Sequence, residues 1–321
     1  LMELVAFIVY FIAMLAIGVV FFVKSRANAG EKEYFLGGRA MGPFVTAMSA
    51  QASDMSGWLL MGLPGSILAF GLGQAWIGIG LAIGTALNWI FVAKRLRKFS
   101  QAANDSITLP QYLSNRFAST GKTLQIICAV IFLVFFTIYV ASGFVAGATV
   151  FSTVIPAISE KAALIIFALI LVAYTFLGGF KAACWTDFFQ GLMMLVAVLT
   201  VPIAVFATQN LDFSALSNVY TYTEGGQTVE CVFHSSFFSC DWKDIISGLG
   251  WGLGYCGMPH ILVRFMSIEK ASKIKTSATV AIGWVVLSLS AVIVMAVLGR
   301  IVLADQLLPV GGQKLIFITF A

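Results

Sequence analysis

Eight stretches of this 321-residue chain stay apolar for about the length that a helix needs to cross a bilayer, and nothing else in the sequence restricts the fold as much. A crossing takes about 20 residues over a hydrocarbon core of roughly 30 Å. The runs are 4–23, 42–70, 74–93, 123–153, 162–180, 185–207, 244–266 and 277–304, and a ninth begins near Leu315. They are unbroken rather than alternating with a period of two, which predicts helices and not a barrel. Composition points the same way. Hydrophobic residues make up 60% of the chain and charged residues 10%, against about 25% charged in a soluble domain. That excludes a cytosolic enzyme, a nucleic-acid-binding protein and a disordered chain. The first run has no small-residue cleavage site and is too long for a signal sequence, so it is expected to be retained. The fold class is therefore an all-α polytopic membrane protein.

The distribution of positive charge sets an expected orientation. With the N-terminus outside, only Lys161, Lys243, Arg300 and Lys314 of the 19 Lys and Arg residues fall outside, and the rest fall inside. Basic residues concentrate in cytoplasmic loops, so the excess of Lys and Arg over Asp and Glu reflects topology rather than an acidic partner. The same orientation puts the stretch 209–243 outside, with Asp212, Glu224, Glu230, Asp241 and His234. Five cysteines are too few for a disulfide scaffold. Cys231 and Cys240 in this loop would close a small ring in an oxidising exterior, or stand as two free thiols. Cys128, Cys184 and Cys256 read as small packing residues in or beside spans.

Two spans depart from the ordinary mix of Leu, Ile, Val, Phe and Ala. The second contains Ala50-Gln-Ala-Ser-Asp-Met-Ser-Gly-Trp58 and then Gly62, Pro64 and Gly65. The seventh crowds Gly248, Gly250, Gly252, Gly254 and Gly257 ahead of Pro259. Such clusters either let helices approach closely or mark a break, and an unwound segment exposes backbone groups that lipid cannot satisfy. The second and seventh spans run in opposite directions in the expected topology. Paired interruptions in inverted halves are the pattern of a secondary transporter with its site near the bilayer midplane. The bland reading is packing glycines in a helical bundle.

Apart from Asp244, the first residue of the seventh run, only Asp54 and Asp187 are carboxylates within spans. Ionisable groups there are costly and are functional candidates by default. Asp54 sits in the first interruption between Ser53 and Ser56, with no Lys or Arg in that span. A sodium ion would neutralise it, taking oxygens from the carbonyls of Ala52 and Met55 and from the hydroxyls and carboxylate nearby. The alternative is an Asp that orders the break through backbone hydrogen bonds. Asp187 follows Lys181 and Thr186 at the start of the sixth span. It reads either as a first-turn acid favoured by the helix dipole or as part of an ion pathway. Trp251 and Tyr255 are four residues apart and share a helix face, Trp58 follows the first interruption, and Tyr139 lies in mid-span. These aromatics read as lipid-facing or packing groups, or as the walls of a pocket. His260 reads as a packing residue. The sequence has no P-loop, no CxxC pair, no HExxH and no GxSxG, so uphill transport would draw on an ion gradient and no enzyme chemistry is expected.

Leu36-Gly-Gly-Arg39, Gly42-Pro-Phe-Val-Thr-Ala47, Ala52-Ser-Asp-Met-Ser-Gly-Trp-Leu-Leu-Met-Gly-Leu-Pro-Gly65, Leu109-Pro-Gln-Tyr112, Phe135-Phe-Thr-Ile-Tyr139, Trp185-Thr-Asp187 and Gly250-Trp-Gly-Leu-Gly-Tyr255 closely resemble the solute:sodium symporter family along the whole chain. The loop with Cys231 and Cys240 does not match the family pattern. The resemblance implies a leucine-transporter-type fold of two inverted five-helix repeats behind one extra N-terminal helix. On that basis 1–40 hold the extra helix and a cytoplasmic loop, 41–208 the first repeat, 209–243 an extracytoplasmic loop and 244–321 part of the second repeat. The chain then ends within that second repeat, before the helix that supplies hydroxyl ligands to sodium, and is expected not to transport by itself. The resemblance further implies sodium-coupled symport of L-proline across the plasma membrane by alternating access. Sodium would be held by Ala52, Asp54 and Met55. Proline would be lined by Ser56, Gly57, Trp58, Tyr139, Trp251, Tyr255 and Pro259. Arg39 and Asp187 would belong to the ion pathway or coupling region. The alternatives are a sodium symporter for a sugar, vitamin or other amino acid, and a channel or sensor on the same scaffold.

Overall fold

A computed structural model describes residues 2–25, 30–55 and 57–320. The apolar runs form helices. α1 (Met2–Ser25), α8 (Thr123–Val154) and α12 (Ile274–Val302) are each long enough to cross a bilayer. Residues Leu72–Ala102 also form a continuous helical stretch of that length, made of α5 (Ala75–Leu87), a π-helical turn over Asn88–Ala93 and α6 (Lys94–Ala102). The expected spans 162–180 and 185–207 are the two segments of α9 (Glu160–Thr208), which lie on either side of non-helical backbone at Gly179. The helix is kinked there, at a φ of 59° in the left-handed region. The shorter helices between the spans are α2 (Glu31–Leu36), α4 (Leu63–Phe70) and α7 (Leu109–Arg116).

Both spans singled out in the sequence lose regular winding. The first is α3 (Pro43–Met55), followed by a π-helical turn over Trp58–Gly62 and then α4. The second is α10 (Trp242–Gly250), a 3-10 stretch over Trp251–Gly257, an extended Met258 and α11 (Pro259–Ser267). Pro259 occupies the first turn of α11, where its missing amide hydrogen costs nothing. The expectation that Asp54 lies in unwound chain is corrected: helix α3 continues through it to Met55.

The chain forms two compact units. One comprises Leu1–Asp54, Trp89–Gly191 and Met258–Val280, and the other Met55–Asn88, Leu192–Gly257 and Ala281–Ala321. In the first unit, Phe7 and Phe11 pack on Phe151 with ring centroids 5.1 and 6.2 Å away, around buried Ala148 and Ala163. The Leu36-Gly-Gly-Arg39 turn uses left-handed backbone at Gly37 and Gly38 (φ 61° and 64°), which a side chain would strain. It leads to Met41, whose amide donates to the Ser267 carbonyl at 3.2 Å, while the Glu269 amide donates back to the Met41 carbonyl at 3.0 Å.

In the second unit, α5 touches α10 and the 3-10 stretch after it backbone to backbone. A Cβ on Gly80 would lie 2.3 Å from the Gly248 carbonyl oxygen, and one on Gly84 would lie 2.2 Å from that of Gly252. Small residues at this spacing are what lets membrane helices approach so closely. Gly250 and Gly257 have nothing within 4 Å of an added Cβ. The glycine cluster of the seventh span therefore serves packing at Gly248 and Gly252 and not at Gly250 or Gly257.

The loop 209–243 carries an antiparallel hairpin, β1 (Tyr220–Glu224) and β2 (Gln227–Cys231). It packs through Tyr222 and Cys231 on Leu68, Met295, Leu303, Leu307 and Ile316. Arg300 anchors it. The guanidinium is fully buried and donates to the carbonyls of Leu68 at 3.1 Å, Cys231 at 3.2 Å and Asn218. The Tyr220 ring lies 4.8 Å from it. The disulfide is corrected: Cys231 and Cys240 are both free thiols. Cys231 is buried in the hairpin's apolar contact, and the Cys240 Sγ faces the Gly73 carbonyl at 3.9 Å.

Candidate functional site

The first interruption places Ala52, Ser53, Asp54 and Met55 in the last turn of α3. A helix leaves its last four carbonyls outside the regular ladder, and the aligned peptide dipoles make that end negative. The Asp54 carboxylate is thus set where a second negative charge is unfavourable. Such an end suits a small hard cation that takes oxygens. Asp54 closes the first unit and Met55 opens the second. Ser56 lies outside the described residues.

Tyr139, from the middle of α8, donates its hydroxyl to the Ser53 carbonyl at 3.1 Å. Its ring stacks on His260 with centroids 5.4 Å apart and planes 22° from parallel. Pro259 precedes that histidine at the start of α11. An unbroken side-chain path therefore runs in the first unit from the end of α3 to the beginning of α11.

Asp187 resolves into an ion pair that the sequence reading missed. Arg264 Nη2 donates to its Oδ2 at 2.6 Å, and the Ser49 hydroxyl donates to the same oxygen at 2.7 Å. Arg264 Nε in turn donates to the Ser49 hydroxyl oxygen at 2.6 Å. The side chains are 8% and 16% exposed. Three helices, α3, α9 and α11, are joined here by one carboxylate, one hydroxyl and one guanidinium. The first-turn alternative for Asp187 is corrected, because the residue lies well past the kink at Gly179 inside α9. Arg264, five residues after Pro259 at the end of an apolar run, is the signal in the sequence that points to such a pair.

In the second unit, Trp58 and Trp251 stack with ring centroids 6.1 Å apart at 24°. Each stands at one of the two interruptions, which are thereby in contact. Tyr255 is buried, and its carbonyl accepts from Asn88 Nδ2 at 2.8 Å. Asn88 begins the π-helical turn after α5, and nothing in the sequence marked it. Gly57 precedes Trp58 with helical dihedrals.

Arg39 is buried and saturated with acceptors. It donates to Asp105 Oδ1 at 2.9 Å, to the Ser106 carbonyl at 2.8 Å, to the Ser100 hydroxyl at 3.1 Å and to the Met266 carbonyl at 2.6 Å. Arg97 donates to the Ile268 carbonyl at 2.6 Å and the Glu269 carbonyl at 3.1 Å. Together they hold the turn before α3 to the end of α11. Burial pushes the Asp105 carboxyl up, but its bond to Lys32 and the charge of Arg39 outweigh this, and the group is held below the usual carboxylate range.

Comparison with known proteins gives a consistent picture. The model of the sodium:solute symporter family matches residues 34–315. The chain is 43% identical over 291 residues to a sodium/proline symporter of Haemophilus influenzae, covering 91% of this chain and 56% of that protein. It is 43% identical to the high-affinity proline transporter PutP of Bacillus subtilis, covering 86% and 56%. It is 40% identical to the sodium/proline symporter of Escherichia coli, covering 92% and 57%. The chain thus spans little more than half the length of these relatives. Among solved structures, a sodium-coupled sialic acid symporter in a substrate-bound, outward-open state superposes with a TM-score of 0.71 at 16% identity, covering 100% of this chain and 66% of that one. This likeness carries the fold alone.

Proposed function

Because the chain belongs to the sodium:solute symporter family and is a multi-pass membrane protein, we propose that the protein carrying it is a sodium-coupled symporter of L-proline. The observation that carries this reading is the position of Asp54 in the last turn of α3, beside the carbonyl ends of Ala52, Ser53 and Met55. An unfavourable carboxylate at a negative helix end becomes favourable when a cation binds there. Sodium occupies that end. The ion fixes the turn whose Ser53 carbonyl also holds Tyr139. Ordering that turn for one ligand orders it for the other, so sodium and proline raise each other's affinity by the same factor.

The zwitterionic solute adds an apolar ring to two charged groups. The indoles of Trp58 and Trp251 supply an aromatic face for the ring. The relatives named as proline transporters support this choice of solute. The reading includes a plasma-membrane location, and the positive-inside distribution of Lys and Arg supports an N-terminus outside. Residues 41–208 are read as one five-helix repeat, 209–243 as the loop between repeats and 244–321 as helices of the inverted second repeat.

The test is Asp54→Asn in reconstituted vesicles, with proline binding titrated against sodium. A charge pair at protein-surface dielectric is worth about 4 kcal/mol at 4 Å, so the sodium half-saturation rises by at least about tenfold. An unchanged sodium dependence removes Asp54 from the mechanism.

A further inference from the structure

A cavity of about 420 Å³ opens in the first unit where α1 ends, α3 begins and α9 is kinked. Its walls are Phe21 near the end of α1, Met41, Phe44 and Val45 around the start of α3, and Lys181 and Trp185 just past the kink at Gly179. The cavity is open on one side, where Phe44 is 57% exposed. Trp185 lies flat against Phe21 with ring centroids 6.1 Å apart at 24°. Apolar runs give way to basic residues here, which is the level of the lipid headgroups. Tryptophan suits that level, with an apolar body and a polar edge.

The charges at the rim are unequal. Lys181 spends one of its three donors on Glu33. Lys24 follows Phe21 by three residues, so the two share a face of α1. It is exposed and has no ion-pair partner among the described residues. Two lysines against one glutamate leave the rim net positive. The amides of Phe44 and Val45, in the first turn of α3, have no acceptor within their helix and add to this.

We propose that this cavity is a docking site for one anionic phospholipid, drawn from the leaflet that the basic end of α1 touches. Lys181 and Lys24 meet the phosphate, and the first carbons of the acyl chains lie on Phe21, Phe44 and Trp185. Ligand pockets run from about 300 to 1,000 Å³, so the space takes a headgroup and the start of the chains while the rest stays in the bilayer. A zwitterionic lipid brings an ammonium group of its own, which the same lysines repel. The rim therefore selects for net negative charge, as basic pockets between membrane helices do. Bound there, the lipid fastens the end of α1 to the start of α3 and to the kink of α9. The assignment needs only a chain that crosses the membrane and stands apart from the identity of the solute.

The experiment uses the full-length protein in detergent, offered phosphatidylglycerol and phosphatidylcholine in equal amounts, with retained lipid counted by native mass spectrometry. The parent keeps one phosphatidylglycerol in preference to phosphatidylcholine. Lys24→Gln lowers that preference by about fivefold, the effect of one lysine near an anionic headgroup. Glu33→Gln releases the Lys181 ammonium and raises the preference by a similar factor, a gain that loss of folding cannot imitate. Gly42 lines the cavity, and a Cβ there meets nothing within 4 Å. Gly42→Leu therefore fills the space, remains compatible with folding and abolishes retention. Melting temperature without added lipid identifies the variants that fold. Equal retention of the two lipids by the parent overturns the assignment. So does parent-like retention in whichever of the three variants folds, and so does displacement of the lipid by inorganic phosphate.

Discussion

Arg264 and Asp187 meet at 2.6 Å across two helices that are 77 residues apart in sequence, and both side chains are largely buried. The pair also takes in Ser49 of α3, so it ties together the helices on which the candidate sodium and solute residues of the first unit stand.

Removing one partner strands the other charge in an apolar interior, at about 3–5 kcal/mol. Arg264→Gln and Asp187→Asn are each expected to lower thermal stability in detergent strongly. The double substitution is expected to cost much less than the two single costs together. A double-mutant cycle on melting temperature reads this coupling, and additive effects would show that the pair is not acting as one unit.

The contact of α5 with α10 and the 3-10 stretch after it separates glycines that look alike in sequence. Gly84→Ala and Gly252→Ala put a methyl group about where a backbone atom already lies, 2.2 Å from it in each case. Each is expected to cost about 1–3 kcal/mol or to block folding. Gly250→Ala meets no neighbour within 4 Å and is expected to leave the yield of folded protein unchanged. Size-exclusion profiles of the three variants decide the matter.

Trp251→Ala removes the partner of Trp58. An aromatic pair contributes about 0.5–1.5 kcal/mol beyond its buried area, so apparent proline affinity is expected to fall by roughly three- to tenfold. Trp251→Phe retains a ring and most of the affinity. Equilibrium proline binding at fixed sodium tests both.

The thiols distinguish a reduced hairpin from a bridged one. All five cysteines are free. Burial raises the Cys231 thiol above its ordinary value, and the charge of Arg300 offsets this only in part. Maleimide is therefore expected to label Cys231 only after denaturation and to label exposed Cys256 in the folded protein. Mass spectrometry of the two states gives the answer, and a mass two hydrogens short at Cys231 and Cys240 would contradict the free thiols.

Asp105 makes the network around Arg39 sensitive to acid. Its carboxyl is held below the ordinary value of 3.8, with burial opposing the shift and Lys32 and Arg39 producing it. A carboxylate depressed on folding stabilises the protein at pH values above its unfolded value, and this contribution is lost as pH falls through the folded one. Loss of stability is therefore expected on titrating from pH 5 to pH 3 or below, and Asp105→Asn is expected to flatten it. Melting temperature against pH in the parent and the variant measures the difference.

The two interruptions were legible because their causes are local. Pro259 has no amide hydrogen to give, and Met258 before it is held extended. Asp54 was legible as a charge in an apolar run, but its place in the last turn of α3 was not, since no proline or glycine in Ala52–Met55 marks the end of that helix. The paired tryptophans were suggested only as wall or belt, and their stacking depends on two segments nearly two hundred residues apart.

Hydropathy is a property of each residue and sums along a run, so the crossings of this chain, its two irregular spans and its family could be read from the order of its amino acids alone. Pairing is a property of neighbours in space. Which carboxylate Arg264 reaches, which glycines lie against another backbone, why Arg300 is buried beneath a hairpin and which side of the stack His260 faces were decided only when the helices packed. A lone side chain in the sequence carries its charge and its donors with it, and it acquires its partner only from the fold.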